Sequence, residues 1–216
     1  MKHITFYLDF ISPYAYLAFE RLPQALEGLS YSVSYEPVLF AGILRHFGQL
    51  GPAEIAPKRD WTYRQVLWLA RTLKIPLQMP ASHPFNPLAL LRLAIACSPE
   101  TTLGHPNRHT CESIFRHVWR SSAEAADATR LDALAAQLAP RRDLQDEEVK
   151  NQLKKNTEGA IAQGVFGVPA YLVDDKIFWG LDALPMLRDY LVDAPWFAGQ
   201  AWDGVAQVAS GIVRQP

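Results

Sequence analysis

The sequence predicts an α/β fold in which a four-stranded mixed sheet is assembled from both ends of the chain, with an all-helical segment inserted between them. Strand patterns occur only near the two ends, whereas roughly a hundred residues between them carry helical periodicity. Because a two-stranded piece of sheet is marginal in water, we expect the two ends to share one sheet. The resulting order, βαβ followed by helices and then ββα, is that of a thioredoxin fold.

The N-terminal part reads as a strand, a helix and a second strand. Residues 3–10, HITFYLDF, are rich in β-branched and aromatic side chains. Apolar residues then recur at helical spacing from Pro13, and Gly28 can end that helix. Residues 31–40 alternate before turning apolar, which predicts a second strand that ends near Pro37. A strand, helix, strand connection of this length favours two parallel strands.

The middle of the chain is rich in Ala and Leu and is interrupted by Pro and Gly. Helical periodicity is found in residues 60–73, 86–98, 106–120, 123–138 and 145–163. We therefore predict a thioredoxin-like domain formed by residues 1–40 and 164–216, and an inserted helical domain formed by residues 41–163.

Strand patterns return at residues 170–175 and 176–180, AYLVDD and KIFWG. The short polar turn between them predicts a hairpin. A final helix is expected to follow, with Asp182 near its start and Pro185 in its first turn, where proline is tolerated.

Composition limits the function classes. With 49% hydrophobic residues and a formal charge of -1, the chain reads as an ordinary globular protein, and no nucleic-acid or membrane partner is expected. Its two cysteines, Cys97 and Cys111, form neither a Cys-x-x-Cys motif nor a zinc-binding pattern, so no metal is expected. The start of the chain has no basic leader followed by a long apolar segment, so we expect a cytoplasmic protein.

Ser12 is the first candidate functional residue because it stands between the first strand and the first helix. Serine is a preferred N-cap and Pro13 suits the first helical position, so local sequence favours a purely structural cap. A helix N-terminus also stabilises an anion such as a thiolate. Since the site offers no cysteine, such a thiolate would have to arrive on a ligand.

Val168 and Pro169 form the second candidate, directly before a predicted strand. The dipeptide alone favours a trans turn, because only a minority of X-Pro bonds are cis. A cis bond would turn the backbone of Val168 outward, where it could pair with a peptide-like ligand. In the predicted sheet, Ser12 and Pro169 come from adjacent strand ends and face one cleft.

Several motifs, taken in order, resemble the 2-hydroxychromene-2-carboxylate isomerase family, which is closely related to the kappa-class glutathione transferases. They are FYLDFISPYAYLA, PVLFAGILRHFG, PKRDWTYRQV, IPLQMP with FNPLALLRL, and GVFGVPAYLVDDKIFWGLDAL. The resemblance extends from the N-terminus to about Ala194. It implies a DsbA-like thioredoxin fold that uses glutathione.

The resemblance also assigns residues to glutathione. It implies that Ser12 contacts the glutathione sulfur and that Val168, before a cis Pro169, pairs with the peptide backbone of the ligand. Lys58 and Asp182 would lie at the charged ends of the glutathione.

Further glutathione contacts are implied at three more positions. Gly180 and Leu181 would place backbone beside the glutamyl part, and Gln49 stands where relatives often carry Asn. Leu181 and Ala183 depart from the polar and basic residues that commonly flank the aspartate in this family.

The function that the resemblance implies is that of a glutathione-dependent isomerase, whose substrate is a small aromatic carboxylate. The relatives also suggest a homodimer. Two alternatives stay open at this point. One is a kappa-like transferase that leaves glutathione attached to an electrophile, and the other is a non-catalytic module that binds glutathione or another thiol.

The remaining candidates have structural interpretations. Buried or cleft-wall positions are expected for Trp61, Tyr63, Trp68 and Trp179, and surface positions for His83, His105 and His109. Asn86 is expected to cap its helix. Arg92, inside an apolar helix, is expected to extend its charge to water or to be paired, and a substrate carboxylate is a lesser alternative.

Overall fold

The computed structural model describes residues 1–209 and 211, and both ends of the chain join in one sheet. The strands are β1 (Lys2–Leu8), β2 (Tyr31–Pro37), β3 (Ala170–Val173) and β4 (Lys176–Trp179). Their order across the sheet is β2-β1-β3-β4. β1 pairs with β2 in parallel, and β3 is antiparallel to both β1 and β4. The predicted four-stranded mixed sheet is confirmed.

Helices fill the rest of the described chain. They are α1 (Pro13–Ala25), α2 (Phe40–His46), α3 (Ala56–Leu73), α4 (Leu88–Ala96), α5 (Arg108–Trp119), α6 (Ala128–Leu138), α7 (Glu147–Ala162), α8 (Leu184–Leu191) and α9 (Gln200–Asp203). Single 3-10 turns occur at Pro52–Glu54, Glu100–Thr102, Pro195–Ala198 and Gly204–Gln207. Within residues 1–209 and 211, no helix combines the length and the apolar character needed to cross a membrane.

Helices α2 and α9 are elements that the sequence did not predict. Only Val38 and Leu39 separate α2 from β2, so the apolar start of its sequence, FAGILRH, reads as a continuation of that strand. The strand instead ends at Pro37, the position expected from the proline itself. The boundaries of other elements also shift: α6 begins at Ala128, where Asp127 accepts a hydrogen bond from the Arg130 N–H at 2.9 Å.

A continuous aromatic core joins the sheet to the helical segment. Phe10 packs edge-on against Phe115 of α5, with ring centroids 4.8 Å apart. The buried Trp119 indole donates to the Phe10 carbonyl oxygen at 3.0 Å. These contacts connect residues 1–40 with residues 41–163, whose separation into two domains stays a prediction.

Helix α1 is fixed near its C-terminal end by an arginine from α5. Pro23 has no N–H to donate to the Phe19 carbonyl four residues earlier. The Arg108 guanidinium donates to that carbonyl instead, at 3.4 and 3.5 Å, and stacks over the Phe19 ring at 4.2 Å. The unpaired carbonyl is therefore satisfied, and α1 is held against the core while its N-terminus stays open to the cleft described next.

Candidate active site

A cavity of about 1650 Å³ opens where β1 ends and α1 begins. Its walls come from α1, from the segment between α2 and α3, from α3, and from the turns on either side of the β3–β4 hairpin. All eight residues selected from the sequence line this cleft: Ser12, Gln49, Lys58, Val168, Pro169, Gly180, Leu181 and Asp182. Residues that are far apart in the chain are thus brought together, whereas their assignment to glutathione stays a prediction.

Ser12 caps α1 and also faces the cleft. Its Oγ accepts a hydrogen bond from the Ala15 N–H at 3.2 Å, as expected for an N-cap. Its hydroxyl donates to the Val168 carbonyl oxygen at 3.4 Å. That distance is long, because O–H···O bonds usually measure about 2.5–3.0 Å. The hydroxyl proton is therefore weakly held and can turn toward a ligand.

The N-terminus of α1 offers a positive electrostatic environment. Pro13 has no N–H, and among the described residues no acceptor pairs with the Tyr14 N–H. The first turn of α1 contains no acidic residue. The positive end of the helix dipole is thus not neutralised from within α1, so an anion beside Ser12 would be stabilised by it.

Val168 and Pro169 form the facing wall. Their peptide bond is cis, so the trans turn favoured by the dipeptide alone is wrong and the isomer implied by the resemblance is the one observed. The Pro169 carbonyl accepts from the Gly180 N–H at 2.9 Å. Within the part of the chain that the structure describes, the Val168 N–H has no acceptor. A backbone donor is therefore available at the cleft for an extended ligand.

Gly180 shapes the turn that carries Leu181 and Asp182. Its φ of +100° lies in the region that favours glycine, and a Cβ there would collide with the Asp182 carboxylate. Burial raises the pKa of Tyr171 well above its ordinary value, and the negative charge of Asp182 adds to that effect. The Asp182 carboxylate is thus held at the cleft end of the hairpin, close enough to influence a buried phenol.

Gln49 and Lys58 lie on the opposite side of the cleft, and both are exposed. The Gln49 N–H donates to the Leu44 carbonyl at 2.9 Å, just after α2, and Lys58 belongs to the first turn of α3. Neither side chain is bonded to another described residue, so both are free to contact a ligand.

Asp9 is a cleft residue that the sequence reasoning missed. Its carboxyl is wholly buried and accepts from the Ile11 N–H at 3.1 Å and the Phe40 N–H at 2.9 Å. Burial raises the pKa of Asp9 to about 7, although these hydrogen bonds oppose the shift. The available signal was an acidic residue at the end of an apolar strand, three residues before Ser12.

His83 was expected at the surface, and the structure corrects this. Its half-buried ring lines the cleft, with Nε2 2.8 Å from the Ile11 carbonyl and Nδ1 2.7 Å from the Tyr63 hydroxyl. Since a carbonyl only accepts, Nε2 carries the proton of the neutral ring. The single Tyr63 hydroxyl proton is shared between Nδ1 and the His83 carbonyl oxygen, which lies 2.8 Å from the hydroxyl. Burial lowers the pKa of His83. The pattern missed is the pairing of Tyr63 with a histidine twenty residues later.

Some of the other predicted positions are confirmed and others are wrong. Trp61, Tyr63 and Trp179 line the cleft as expected, whereas Trp68 is 60% exposed outside it, so its predicted place is wrong. His109 is exposed as expected. His105 is instead half-buried, 3.9 Å from the Glu36 carboxylate.

The two cysteines do not belong to the cleft. Cys111 is buried in α5 and Cys97 is half-buried directly after α4. Burial raises the pKa of Cys97 to about 11 and also raises that of Cys111. Both thiols are therefore poor nucleophiles, and dithiol chemistry does not fit this cleft.

Comparison with known proteins identifies the family of the chain. The model of the DSBA-like thioredoxin domain matches residues 3–192. The chain belongs to this family. A solved structure of a 2-hydroxychromene-2-carboxylate isomerase has a similar fold, with a TM-score of 0.73 at 22% identity, covering 96% of this chain and 100% of the other.

Sequence relatives carry two kinds of name. The chain is 28% identical over 200 residues to a 2-hydroxychromene-2-carboxylate isomerase from Sphingobium xenophagum, covering 89% of this chain and 99% of the relative. It is 26% identical over 214 residues to glutathione S-transferase kappa 2 from Caenorhabditis elegans, covering 89% and 92%. The DsbA-like chain is thus related both to isomerases and to kappa-class transferases.

Proposed function

We propose that this protein is a glutathione-dependent isomerase acting on aromatic carboxylates of the 2-hydroxychromene-2-carboxylate type. The observation that carries the proposal is the Ser12 hydroxyl at the N-terminus of α1, facing Val168 across a cleft that contains no cysteine among the described residues. The relatives named as isomerases and as a kappa-class transferase support the same choice.

The cleft fits a peptide-like thiol. The unpaired N–H of Val168 matches the backbone acceptor of an extended peptide, and the unpaired N–H of Tyr14 points to an anion at the start of α1. Lys58 and Asp182 supply one charge of each sign for the ends of a zwitterionic tripeptide. When bound, glutathione would supply a thiolate that adds reversibly to a conjugated carbon, so that a former double bond can rotate.

The protein's own residues would keep that sulfur anionic. The Ser12 hydroxyl can leave its long bond to Val168 and donate to the sulfur, while its oxygen continues to accept from Ala15. The helix dipole adds a fixed positive field that needs no reorganisation during the reaction. Together they would lower the pKa of a thiol held beside Ser12.

The rest of the cleft suits a flat aromatic substrate. Trp61, Phe85 and Trp179 contribute aromatic surface, and the Tyr63 and His83 pair contributes polar groups on the same wall. An aromatic substrate could stack on the first set, and the Tyr63 oxygen could accept a hydrogen bond from a substrate hydroxyl.

A glutathione titration tests the binding step. We expect calorimetry to detect binding that strengthens as the pH rises through the pKa of the bound thiol, and we expect Ser12→Ala to lose much of that pH dependence. If Ser12→Ala binds as tightly as the wild type at pH 6 and at pH 8, the thiolate role is refuted.

The mass of the product tests the chemistry. Isomerisation leaves the substrate mass unchanged and returns glutathione, whereas a kappa-like transferase adds the mass of glutathione. The similarity to the nematode kappa transferase makes conjugation the second candidate. Normal glutathione binding without turnover of any enone would instead support a non-catalytic binding module.

The cytoplasmic location and the homodimer that the resemblance implies belong to the same proposal. Analytical ultracentrifugation of the full chain measures the oligomeric state directly. A sedimentation coefficient that corresponds to a monomer at micromolar concentration would contradict the homodimer.

A further inference from the structure

A second, smaller cavity of about 500 Å³ lies between α2, α4 and α7. It is distinct from the cleft, although Arg45 of α2 lines both. Apolar side chains line part of it: Leu39, Leu88, Leu153 and Ile161. Basic side chains line the rest: Arg45, His46, Arg92, Lys150 and Lys154.

The positive charge of this cavity is poorly balanced. Glu158 is the one acidic residue among those lining it, and its carboxylate lies 3.8 Å from Lys154. Lys150 pairs at 2.9 Å with Glu147, which lies outside the cavity. Among the described residues, no carboxylate lies within ion-pair distance of Arg45 or Arg92. The cavity therefore has a net positive character.

A structural explanation accounts for only part of this set. Arg45 and His46 occupy the last turn of α2, where positive side chains stabilise the end of a helix. Lys150 and Lys154 are arranged along α7 with acidic neighbours at helical spacing. Arg92 fits neither pattern, because it lies in the middle of the apolar helix α4.

Arg92 has an unmet hydrogen-bonding requirement. Its Nε is buried and has no partner in the part of the chain that the structure describes. Its Nη1 makes one long bond, 3.4 Å, to the side-chain oxygen of Gln145. Buried donors are nearly always paired, and a guanidinium matches a carboxylate in a two-bond arrangement. Because the Nε is closed off from solvent, an acceptor from outside the chain would bind the outer Nη groups of Arg92, whose one hydrogen bond among the described residues is the long one to Gln145.

We propose that this cavity is a second ligand site, specific for a small organic carboxylate with an aromatic or other apolar body. The carboxylate pairs with the Arg92 guanidinium, with Lys150 and Lys154 adding attraction, and the apolar body packs on Leu88 and Leu153. The volume of about 500 Å³ lies in the range of small-molecule pockets and accommodates a one- or two-ring molecule.

Helix α2 lies between the two cavities. Its first residue, Phe40, donates its N–H to the buried Asp9 carboxyl and lines the cleft, whereas Gly42 and His46 line the second cavity.

Nuclear magnetic resonance of the full chain tests the site with 2-naphthoate as the probe. We expect saturable amide shifts at Gly42, Leu88 and Ile161, measured separately from shifts at Ser12 and Val168 in the cleft. Naphthalene-2-carboxamide, which has the same shape without the charge, is expected to leave Gly42, Leu88 and Ile161 unshifted.

Variants assign the effect to Arg92. We expect Arg92→Gln to raise the dissociation constant of 2-naphthoate, read at Gly42, at least tenfold, and Lys154→Gln to raise it about threefold. Arg64→Gln, an exposed change on α3 that lines neither cavity, should leave it unchanged. The exposed Lys154 keeps the test decisive if Arg92→Gln folds poorly.

Three results would overturn the proposal. The first is that 2-naphthoate shifts amides of the cleft alone, and the second is that the neutral amide binds as well as 2-naphthoate. The third is that the dissociation constant read at Gly42 is the same in the wild type and in Lys154→Gln, and also in Arg92→Gln if that variant folds. Because each is read at the second cavity, none depends on whether the cleft uses glutathione.

Discussion

The Ser12 hydroxyl lies 3.4 Å from the Val168 carbonyl oxygen, although 156 residues separate the two in the chain. The sheet register explains the approach. β1 and β3 are antiparallel neighbours with Tyr7 opposite Ala170, so the end of one strand meets the beginning of the other. The start of α1 and the turn before β3 are thus placed at the same point, and a ligand between them contacts both ends of the chain.

Replacing Ser12 with alanine tests the double role of this side chain. Loss of the cap to the Ala15 N–H is expected to lower the free energy of unfolding by about 1 kcal/mol. Loss of a donor to a developing anion is expected to reduce kcat/KM roughly 100-fold, which is much more than the cap alone explains. Chemical denaturation and steady-state kinetics on the same variant separate the two effects.

Ser30→Ala is the matched control, because Ser30 is exposed just before β2 and outside the cleft. Ser30→Ala should leave the free energy of unfolding and kcat/KM near their wild-type values. A Ser12→Ala variant with full activity and only reduced stability would leave Ser12 as a helix cap alone.

Gly180→Ala tests the conformation of the turn beside Asp182. Alanine there must adopt φ near +100° and would collide with the Asp182 carboxylate. We expect a loss of about 1–3 kcal/mol in the free energy of unfolding and weaker ligand binding, because the turn lines the cleft. Urea unfolding measures the loss of stability, and calorimetry measures the loss of ligand binding.

Gly159→Ala provides the contrast. Gly159 lies inside α7, where an added Cβ meets nothing within 4 Å. The same chemical change should raise stability by up to about 1 kcal/mol, since alanine favours helix. If Gly180→Ala and Gly159→Ala changed the free energy of unfolding equally, the turn at position 180 would not require glycine.

The sequence predicts the sheet well because its strands carry strong local patterns and the ends of the chain cannot form sheets separately. It fails at α2, where the apolar residues that follow a strand look like more strand. Asp9 and His83 show a different limit. Their role depends on contacts with Phe40, Ile11 and Tyr63 that only the assembled chain creates.

Ser12 and the Val168–Pro169 pair could be selected beforehand because their chemistry is local: a cap, a helix end and a proline before a strand. The second cavity could not be selected in this way. Arg92 alone was visible as an arginine in an apolar helix, whereas its basic neighbours come from α2 and α7 and meet it only after packing.

Glu36 is expected to make stability depend on pH in an unusual direction. Burial raises its pKa from 4.5 to about 7 in the folded protein. Between about pH 4.5 and pH 7 the folded state therefore keeps a proton that the unfolded chain releases, so this group's stabilisation is lost as the pH rises. The full effect is at most about 3 kcal/mol, because one pKa unit corresponds to about 1.4 kcal/mol.

The test compares Glu36→Gln with the wild type by urea unfolding at pH 4.5 and pH 7.5. Glutamine cannot titrate, so the variant should gain stability relative to the wild type as the pH rises. Taking the difference removes the contribution of the histidines other than His105, which lies 3.9 Å from the Glu36 carboxylate. Glu100→Gln, an exposed substitution, controls for the change of side chain. A difference that is constant with pH would contradict the assigned titration.

Asp9→Asn tests how the base of the cleft is held together. The two carboxyl oxygens accept from Ile11 of the turn before α1 and from Phe40 at the start of α2. An asparagine keeps one acceptor but turns its NH2 toward one of these N–H groups, which leaves a buried donor unpaired. We expect a loss of about 1–3 kcal/mol in the free energy of unfolding. We also expect weaker binding of any ligand held at Ser12, because the Ile11 backbone leads directly into the cap.

Asp175→Asn is the matched control, since Asp175 is exposed in the hairpin turn and bonds only to its neighbour Lys176. Unfolding in urea and glutathione titration of both variants provide the measurements. If Asp9→Asn matched Asp175→Asn in both, the carboxyl would not be what joins β1, α1 and α2. If Asp9→Asn lost stability but kept wild-type binding, Asp9 would support the fold without positioning Ser12.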